Sequence, residues 1–289
     1  MTLPSFDYVR PKTLEEAVEA LADGTGRPLG GGQSLVAAMN LGRERPSRIV
    51  DLNRVAELAT INDEGDRLRI GALVRLAALR ESTWLRSQLP LLWSALRHVA
   101  HVQVRTRATI GGNLTQADPC SEIPAVAAAL GATYTLVSHR GERVVPAIDY
   151  PIGPFMTART SDEVLVEVTF PVHGNVVAGF FEVARKKKDW PIIGAGAQLA
   201  LDDRGVITEA WVGVCGAAGR PVKQTDVEKA LRGGPADHAT FQEVARLATG
   251  VDEYVGARSG TAYRRHVLPV VVERALLQAI ESRNEQVVA

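Results

Sequence analysis

Three glycines in succession, Gly30-Gly31-Gly32, interrupt an apolar stretch between Leu29 and Leu35. Residues without a Cβ contribute nothing to a strand or helix interior, so a triplet forces a turn. Arg27-Pro28-Leu29 reads as a short strand entering that turn. Ser34 to Gly42 reads as a helix or helical turn, with Ser34 as its N-cap. Gly111-Gly112, within Thr109-Ile110-Gly111-Gly112-Asn113, repeats the device further along.

The remaining periodicity fits two α+β domains, 1–173 and 177–283. Thr13-x-x-Glu16 is a capping box ahead of a helix closed by Gly24 and Gly26. Residues 48–52 and 67–74 are expected strands, giving a first β-α-β block of mixed order. Helices are expected over 76–82, 91–99 and 121–131, the last with Ser121 as N-cap, Pro124 in its first turn and Gly131 as its stop. A hairpin over 133–147 and a strand over 163–171 follow. Residues 172–179 read as a linker. Beyond it lie strands over 194–201 and 207–216, then three helices: one opened by a capping box Thr225-x-x-Glu228, one over 241–249 and one over 263–280.

Composition narrows the function. Lys plus Arg and Asp plus Glu both number 33, so nothing asks for nucleic acid or an anionic membrane. The two cysteines, Cys120 and Cys215, are too few for an iron–sulfur cluster and read as buried apolar residues in a reducing cytoplasm. No secretory core is seen near the N-terminus, and no run reaches the roughly 20 apolar residues of a membrane span.

Glycine turns that open into helices offer backbone N–H groups to an anion, and a pyrophosphate suits such a site. At one such loop, a plain tight turn explains the sequence equally well. Neither loop is a Rossmann fingerprint, because Leu35 stands where a third glycine is needed, and no GxxxxGK[ST] occurs. Asp118 and Glu122, about ten residues past the second turn, are placed to accept hydrogen bonds from ribose hydroxyls.

Taken in order, "GGGQSL", "VRTRATIGGNL", "ADPCSEIPAV", "KKDWPIIGAGA", "GRPVKQTDVEKALRG" and "AYRRHVLPVVVERAL" resemble the medium, FAD-binding subunit of the molybdenum hydroxylases. That family includes xanthine dehydrogenase and carbon monoxide dehydrogenase. The resemblance spans roughly residues 3–283. It implies a two-subdomain FAD domain of the vanillyl-alcohol-oxidase (PCMH) type over 1–173, then three antiparallel strands with helices over 177–283. FAD would be held by Gly30, Gly31, Gly32, Gln33, Ser34 and Leu35, and by Thr109, Ile110, Gly111, Gly112 and Asn113. Ala117, Asp118, Glu122, Arg159, Lys186 and Trp190 complete the implied set. Glu122 stands where aspartate is usual, near the ADP ribose or adenine, and Trp190 where an aromatic residue lies against the isoalloxazine. The implied partners are a large molybdenum-cofactor subunit and a small subunit with [2Fe–2S] clusters, as a dimer of heterotrimers. The implied role is electron transfer to an external acceptor, with an N-heterocycle or other aromatic preferred as holoenzyme substrate. No catalytic acid–base residue or metal site is assigned. The main rival is a self-sufficient flavin oxidase or dehydrogenase of the same fold; a second is a flavin-free binding or scaffold protein that keeps it.

Several positions have a second reading. Trp190 also fits the edge of a core, and Ser34 a purely structural cap. Arg105 and Arg107 fit phosphate neutralisation or a surface role. His98 and His101 have metal-compatible spacing without a third ligand. Three departures from the family matter, one of them Gln33, which replaces the histidine of the carbon monoxide branch and argues against that substrate. Ala108 replaces a glycine and would be strained at positive φ, and Arg159 replaces a leucine that packs near the flavin.

Overall fold

The computed structural model describes residues 5–287, with side chains described through residue 282. The first block holds β1 (Asp7–Val9), α1 (Leu14–Leu21), β2 (Gly26–Leu29), α2 (Leu35–Asn40) and β3 (Arg48–Asp51). Its strands run in the order β1-β3-β2 and all pair in parallel, which corrects the mixed order expected. The helical crossovers impose this, because a helix between strands returns the chain to the same end of the sheet. Thr13 accepts the Glu16 amide as a cap, while the Glu16 carboxylate reaches Lys12 N instead of closing the box. The buried stripe Ala17, Val18, Leu21 then packs over Val50 and Leu52.

The second block centres on a five-stranded antiparallel sheet, β4 (Ile61–Asp63), β5 (Arg67–Gly71), β6 (Thr133–Ser138), β7 (Gly141–Pro146) and β10 (Val164–Pro171), in the order β4-β5-β10-β6-β7. A small hairpin, β8 (Pro151–Gly153) with β9 (Met156–Thr157), projects between its last strands. Helices α3 (Leu76–Glu81), α4 (Thr83–Gln88), α5 (Pro90–Leu96), α6 (Val102–Arg105), α7 (Ile110–Gln116) and α8 (Glu122–Leu130) fill the long β5–β6 connection. The sequence reading missed α4, whose apolar content is slight but whose start is capped by Ser82 on Leu85 N.

The third block is an antiparallel sheet of three long strands, β11 (Val176–Ala184), β12 (Pro191–Leu201) and β13 (Ile207–Cys215), edged by the two-residue β14 (Val222–Lys223). Residues 172–175 connect it to β10, so the expected linker is shorter than 172–179. α9 (Thr225–Leu231), α10 (His238–Val244) and α11 (Thr261–Val287) complete it. Thr225 is a helical residue and caps nothing. The buried Glu228 carboxylate accepts Val212 N at 2.8 Å, tying α9 to β13 in place of the expected capping box.

All nine residues of α8 are buried, which no surface helix shows. The reason is β13: a Cβ on Gly213 would lie 2.4 Å from the Ala125 carbonyl. One apolar core therefore runs from Leu68 and Ile70 through α8 to Phe180 and Cys215 of the third block.

Candidate functional site

The two glycine stretches meet. A Cβ on Gly31 would lie 2.1 Å from the Arg107 carbonyl oxygen, and one on Gly30 2.9 Å from Thr109 Oγ1. Gly32 adopts φ +74°, which favours glycine. A polar relay joins the two segments: Asn53 Nδ2 donates to Gly30 O at 2.9 Å, Arg75 Nη2 to Asn53 Oδ1 at 2.5 Å, and Arg75 Nη1 to Arg107 O at 2.5 Å. Sequence reasoning missed Asn53 and Arg75, since neither sits in a local pattern.

With the Gly30 carbonyl held, the loop offers its other polar face. Among the described residues, the amides of Gly31, Gly32, Gln33 and Ser34 have no protein acceptor. Ser34 sits in the helical region and its hydroxyl makes no capping bond, so the N-cap expectation is corrected. Gln33 folds back, Nε2 donating to Gly31 O at 3.4 Å. An array of unpaired amides opening into a helix favours an oxyanion.

The second stretch is not a loop but the first turn of α7. Thr109 is its N-cap and accepts Gly112 N at 3.1 Å. Ile110 N and Gly111 N donate to Val74 O and Ala72 O, and Asn113 N to Thr109 O. Gly111 lacks a side chain because Ala72 occupies the space, 2.5 Å from where a Cβ would stand. Asn113 Oδ1 accepts Ser121 Oγ at 2.8 Å, so Ser121 ties α8 to α7 and does not cap α8.

These elements wall a cleft of about 990 Å³, at the upper end of ordinary ligand pockets, roughly 300–1,000 Å³. Gly30–Leu35, Thr109, Gly111, Gly112, Asn113, Asp118, Glu122, Arg159, Lys186 and Trp190 all line it. Ile110 does not, being fully buried in the core. Ala117 lies behind the wall, where its carbonyl accepts Phe155 N at 2.9 Å. The cleft also includes Val99, Ala100, His101, Phe155, Met156 and Lys188, none assigned from sequence. Ala100, Phe155 and Lys188 there, with Ala117 behind, take φ of 45°, 58°, 70° and 47°. Left-handed non-glycine residues are uncommon and gather at functional sites. Ala108 is not among them, so the expected strain is absent.

Burial dominates the acidic wall. Glu122 is 6 % exposed. Desolvation first, then the Glu182 and Asp118 carboxylates, push its carboxyl up to about 8, against Lys188. It is therefore a neutral acid at pH 7, able to donate as well as accept. Burial also raises Asp118, whose Oδ1 accepts Cys120 N at 3.0 Å. On the basic side, Lys188 Nζ donates to Arg97 O, and burial lowers its pKa. Trp190 is 56 % exposed at the mouth, with the Arg258 guanidinium 4.6 Å from its ring centre.

Other sequence candidates lie elsewhere. Arg105 Nη1 donates to the carbonyls of Val99 and Ala100, and neither Arg105 nor Arg107 lines the cleft. His98 pairs with Glu182 at 3.3 Å and packs on Phe180, while His101 faces the cleft. Cys120 and Cys215 are buried free thiols.

Two family models match the chain: "FAD binding domain in molybdopterin dehydrogenase" over residues 4–173, and "CO dehydrogenase flavoprotein C-terminal domain" over 178–279. The chain is 36% identical to 6-hydroxypseudooxynicotine dehydrogenase complex subunit alpha of Paenarthrobacter nicotinovorans, covering 97% of this chain and 96% of that one. It is 35% identical to caffeine dehydrogenase subunit beta of Pseudomonas sp. strain CBB1, covering 96% and 95%. A crystal structure of quinoline 2-oxidoreductase from Pseudomonas putida 86 superposes with a TM-score of 0.91 at 32% identity, covering 98% of this chain and 99% of that one.

Proposed function

The chain belongs to the FAD-binding subunits of the molybdopterin dehydrogenases, and from that premise we propose that it is the electron-transferring flavoprotein of a multi-subunit molybdenum hydroxylase. Its cofactor is FAD. The residues present fit that group: unpaired amides over Gly31–Ser34 form a cradle for a diphosphate, at the wall of a cleft of about 990 Å³. This convergence of the two glycine segments on one cleft is the observation that carries the reading.

In this reading the diphosphate lies between the two segments: Gly30–Leu35 gives its unpaired amides, and Thr109, Gly111, Gly112 and Asn113 wall the other side. Ser34 donates its unengaged hydroxyl, and Thr109 keeps its hydroxyl proton for donation while its oxygen caps α7. Ile110 and Ala117 act from behind, by fixing the wall. Asp118 and Glu122 serve the ribose or adenine, with Glu122 donating from its protonated form. Trp190, at the mouth of the cleft, would hold the isoalloxazine by stacking, a contact worth about 1 kcal/mol beyond area burial. Lys186, which lines the same cleft, supplies a cation there. When bound, FAD would supply the redox chemistry of electron transfer between the [2Fe–2S] clusters and an external acceptor. The chain's own work is to bind, orient and tune.

We divide the chain into 1–173, which carries most of the cleft wall, and 177–283, which adds the Lys186–Trp190 segment to that wall. The partners are a large molybdenum-cofactor subunit and a small iron–sulfur subunit, assembled as a dimer of heterotrimers in the cytoplasm. Among the described residues no helix is long and apolar enough to cross a membrane. Relatives named for caffeine and quinoline support an N-heterocyclic or related aromatic substrate for the holoenzyme. The test is titration of the purified full chain with FAD, read by visible absorbance and quenching of flavin fluorescence. One FAD per chain is expected, and Trp190→Ala should weaken it. A chain that takes up none overturns the reading.

A further inference from the structure

Arg159 lies between β9 and β10 and lines the cleft. Its Nη1 donates to the carbonyls of Thr160 at 2.8 Å, Ser161 at 3.4 Å and Glu163 at 2.7 Å. The opposite edge of the guanidinium is different. Nε is buried with no acceptor, and Nη2 has none among the described residues. A buried donor without a partner costs roughly 1–3 kcal/mol, so this edge is built for an acceptor that the chain does not supply.

Burial is the largest influence on the Arg159 charge and disfavours it; the nearby Glu163 and Asp162 carboxylates favour it but give their hydrogen bonds to other arginines. Glu163 is engaged by Arg143, Nε to Oε1 at 2.5 Å and Nη2 to Oε2 at 2.8 Å. Asp162 is engaged by Arg140 at 2.6 Å. Arg27, on β2 just ahead of the glycine triplet, acts on Arg159 as a like charge and is itself only loosely paired with Glu44, at 3.4 Å. A guanidinium pinned by three carbonyls, with a two-pronged edge that has no protein acceptor, is a rigid receptor for an anion.

We propose that the Nε–Nη2 edge of Arg159 is an anion receptor within the FAD cleft; this rests on the FAD reading above. Two parts of the cofactor offer that chemistry: the diphosphate, and the pyrimidine edge of the flavin, where negative charge gathers on reduction.

The experiment compares the full-length wild type with Arg159→Leu and Arg159→Lys, measuring affinity for FAD, ADP and riboflavin and the midpoint potential of the bound flavin. If the receptor faces the flavin, the leucine variant lowers the ratio of affinities for reduced and oxidised FAD about tenfold, which is about 30 mV for a two-electron couple. If it faces the diphosphate, that variant weakens FAD and ADP about tenfold and leaves riboflavin and the potential unchanged. Lysine keeps the charge but loses the two-pronged edge, and should show a smaller loss in the same quantity; it serves alone if the leucine variant does not fold. Wild-type potential and wild-type FAD and ADP affinities in the variants overturn the proposal, even if thermal stability drops, because that leaves Arg159 as a loop anchor only. A wild type that binds no FAD overturns the cofactor reading itself, and this proposal with it.

Discussion

In the loop 30–34 the Gly30 carbonyl is held by Asn53 and successive amides have no protein partner; in the turn 109–113 the amides of Ile110, Gly111, Gly112 and Asn113 are all engaged. The same residue type serves two ends. At Gly31 the missing Cβ lets one backbone lie on another while leaving N–H groups for a ligand. At Gly111 it lets a helix start against Ala72. A glycine-rich signature thus marks close approach of main chain, and only the hydrogen-bond accounting shows whether the approaching partner is ligand or protein.

The largest effects should separate the two. Gly111→Val places its side chain on the Ala72 backbone, with Ala72 O only 2.8 Å from the Cβ position. Overpacking of this kind costs about 1–3 kcal/mol, and chemical denaturation of the FAD-free chain should show it. Gly31→Val meets the Arg107 carbonyl and should displace the amide cradle. We expect FAD affinity to fall about 100-fold, roughly 2.7 kcal/mol, with a smaller loss of FAD-free stability than in Gly111→Val. Equal destabilisation by the two substitutions, with equal FAD affinity, would erase the distinction.

Most of the fold was legible in the sequence because apolar periodicity reports burial directly. Ala17, Val18 and Leu21, and the strands β12 and β13, stand where their spacing puts them, while β11 begins inside the stretch read as a linker. Capping was less legible. Ser34, Ser121 and Thr225 each precede or open a helix, yet none caps, because the hydroxyl of Ser121 has a tertiary partner in Asn113 and the carboxylate meant to complete the Thr225 box is claimed by Val212 N. The glycine loops announced the site, but Asn53 and Arg75, which join them, carry no local signal. The left-handed Phe155 and Ala100 are equally silent, since tertiary context selects such backbones.

An effect of similar size tests the acidic wall of the cleft. A carboxyl raised from 4.5 to about 8 holds its proton in the folded chain after the unfolded chain has lost it. Stability attributable to Glu122 is therefore full below about pH 4.5 and declines as pH rises to about 8. The loss is on the order of 2–3 kcal/mol, given about 1.4 kcal/mol per pKa unit and partial relaxation of the site. Glu122→Gln should flatten that slope in denaturation curves taken at pH 5 and pH 9. A parallel slope in both proteins would show that the carboxyl is charged when folded.

The smallest effects give the sharpest form of the comparison, because Ser34 and Thr109 are both hydroxyls at helix starts beside the same cleft. Thr109 Oγ1 accepts the Gly112 amide, so Thr109→Ala removes a cap and should cost about 1 kcal/mol of FAD-free stability. Ser34 caps nothing, so Ser34→Ala should change that stability by less than about 0.5 kcal/mol. If its hydroxyl donates to the diphosphate, the same substitution should weaken FAD about fivefold, near 1 kcal/mol for a lost hydrogen bond. Paired measurements of denaturation midpoint and FAD affinity therefore give opposite ratios for the two variants. If Ser34→Ala loses stability as Thr109→Ala does and keeps its FAD affinity, the first hydroxyl is structural after all, and the cradle consists of main-chain amides alone.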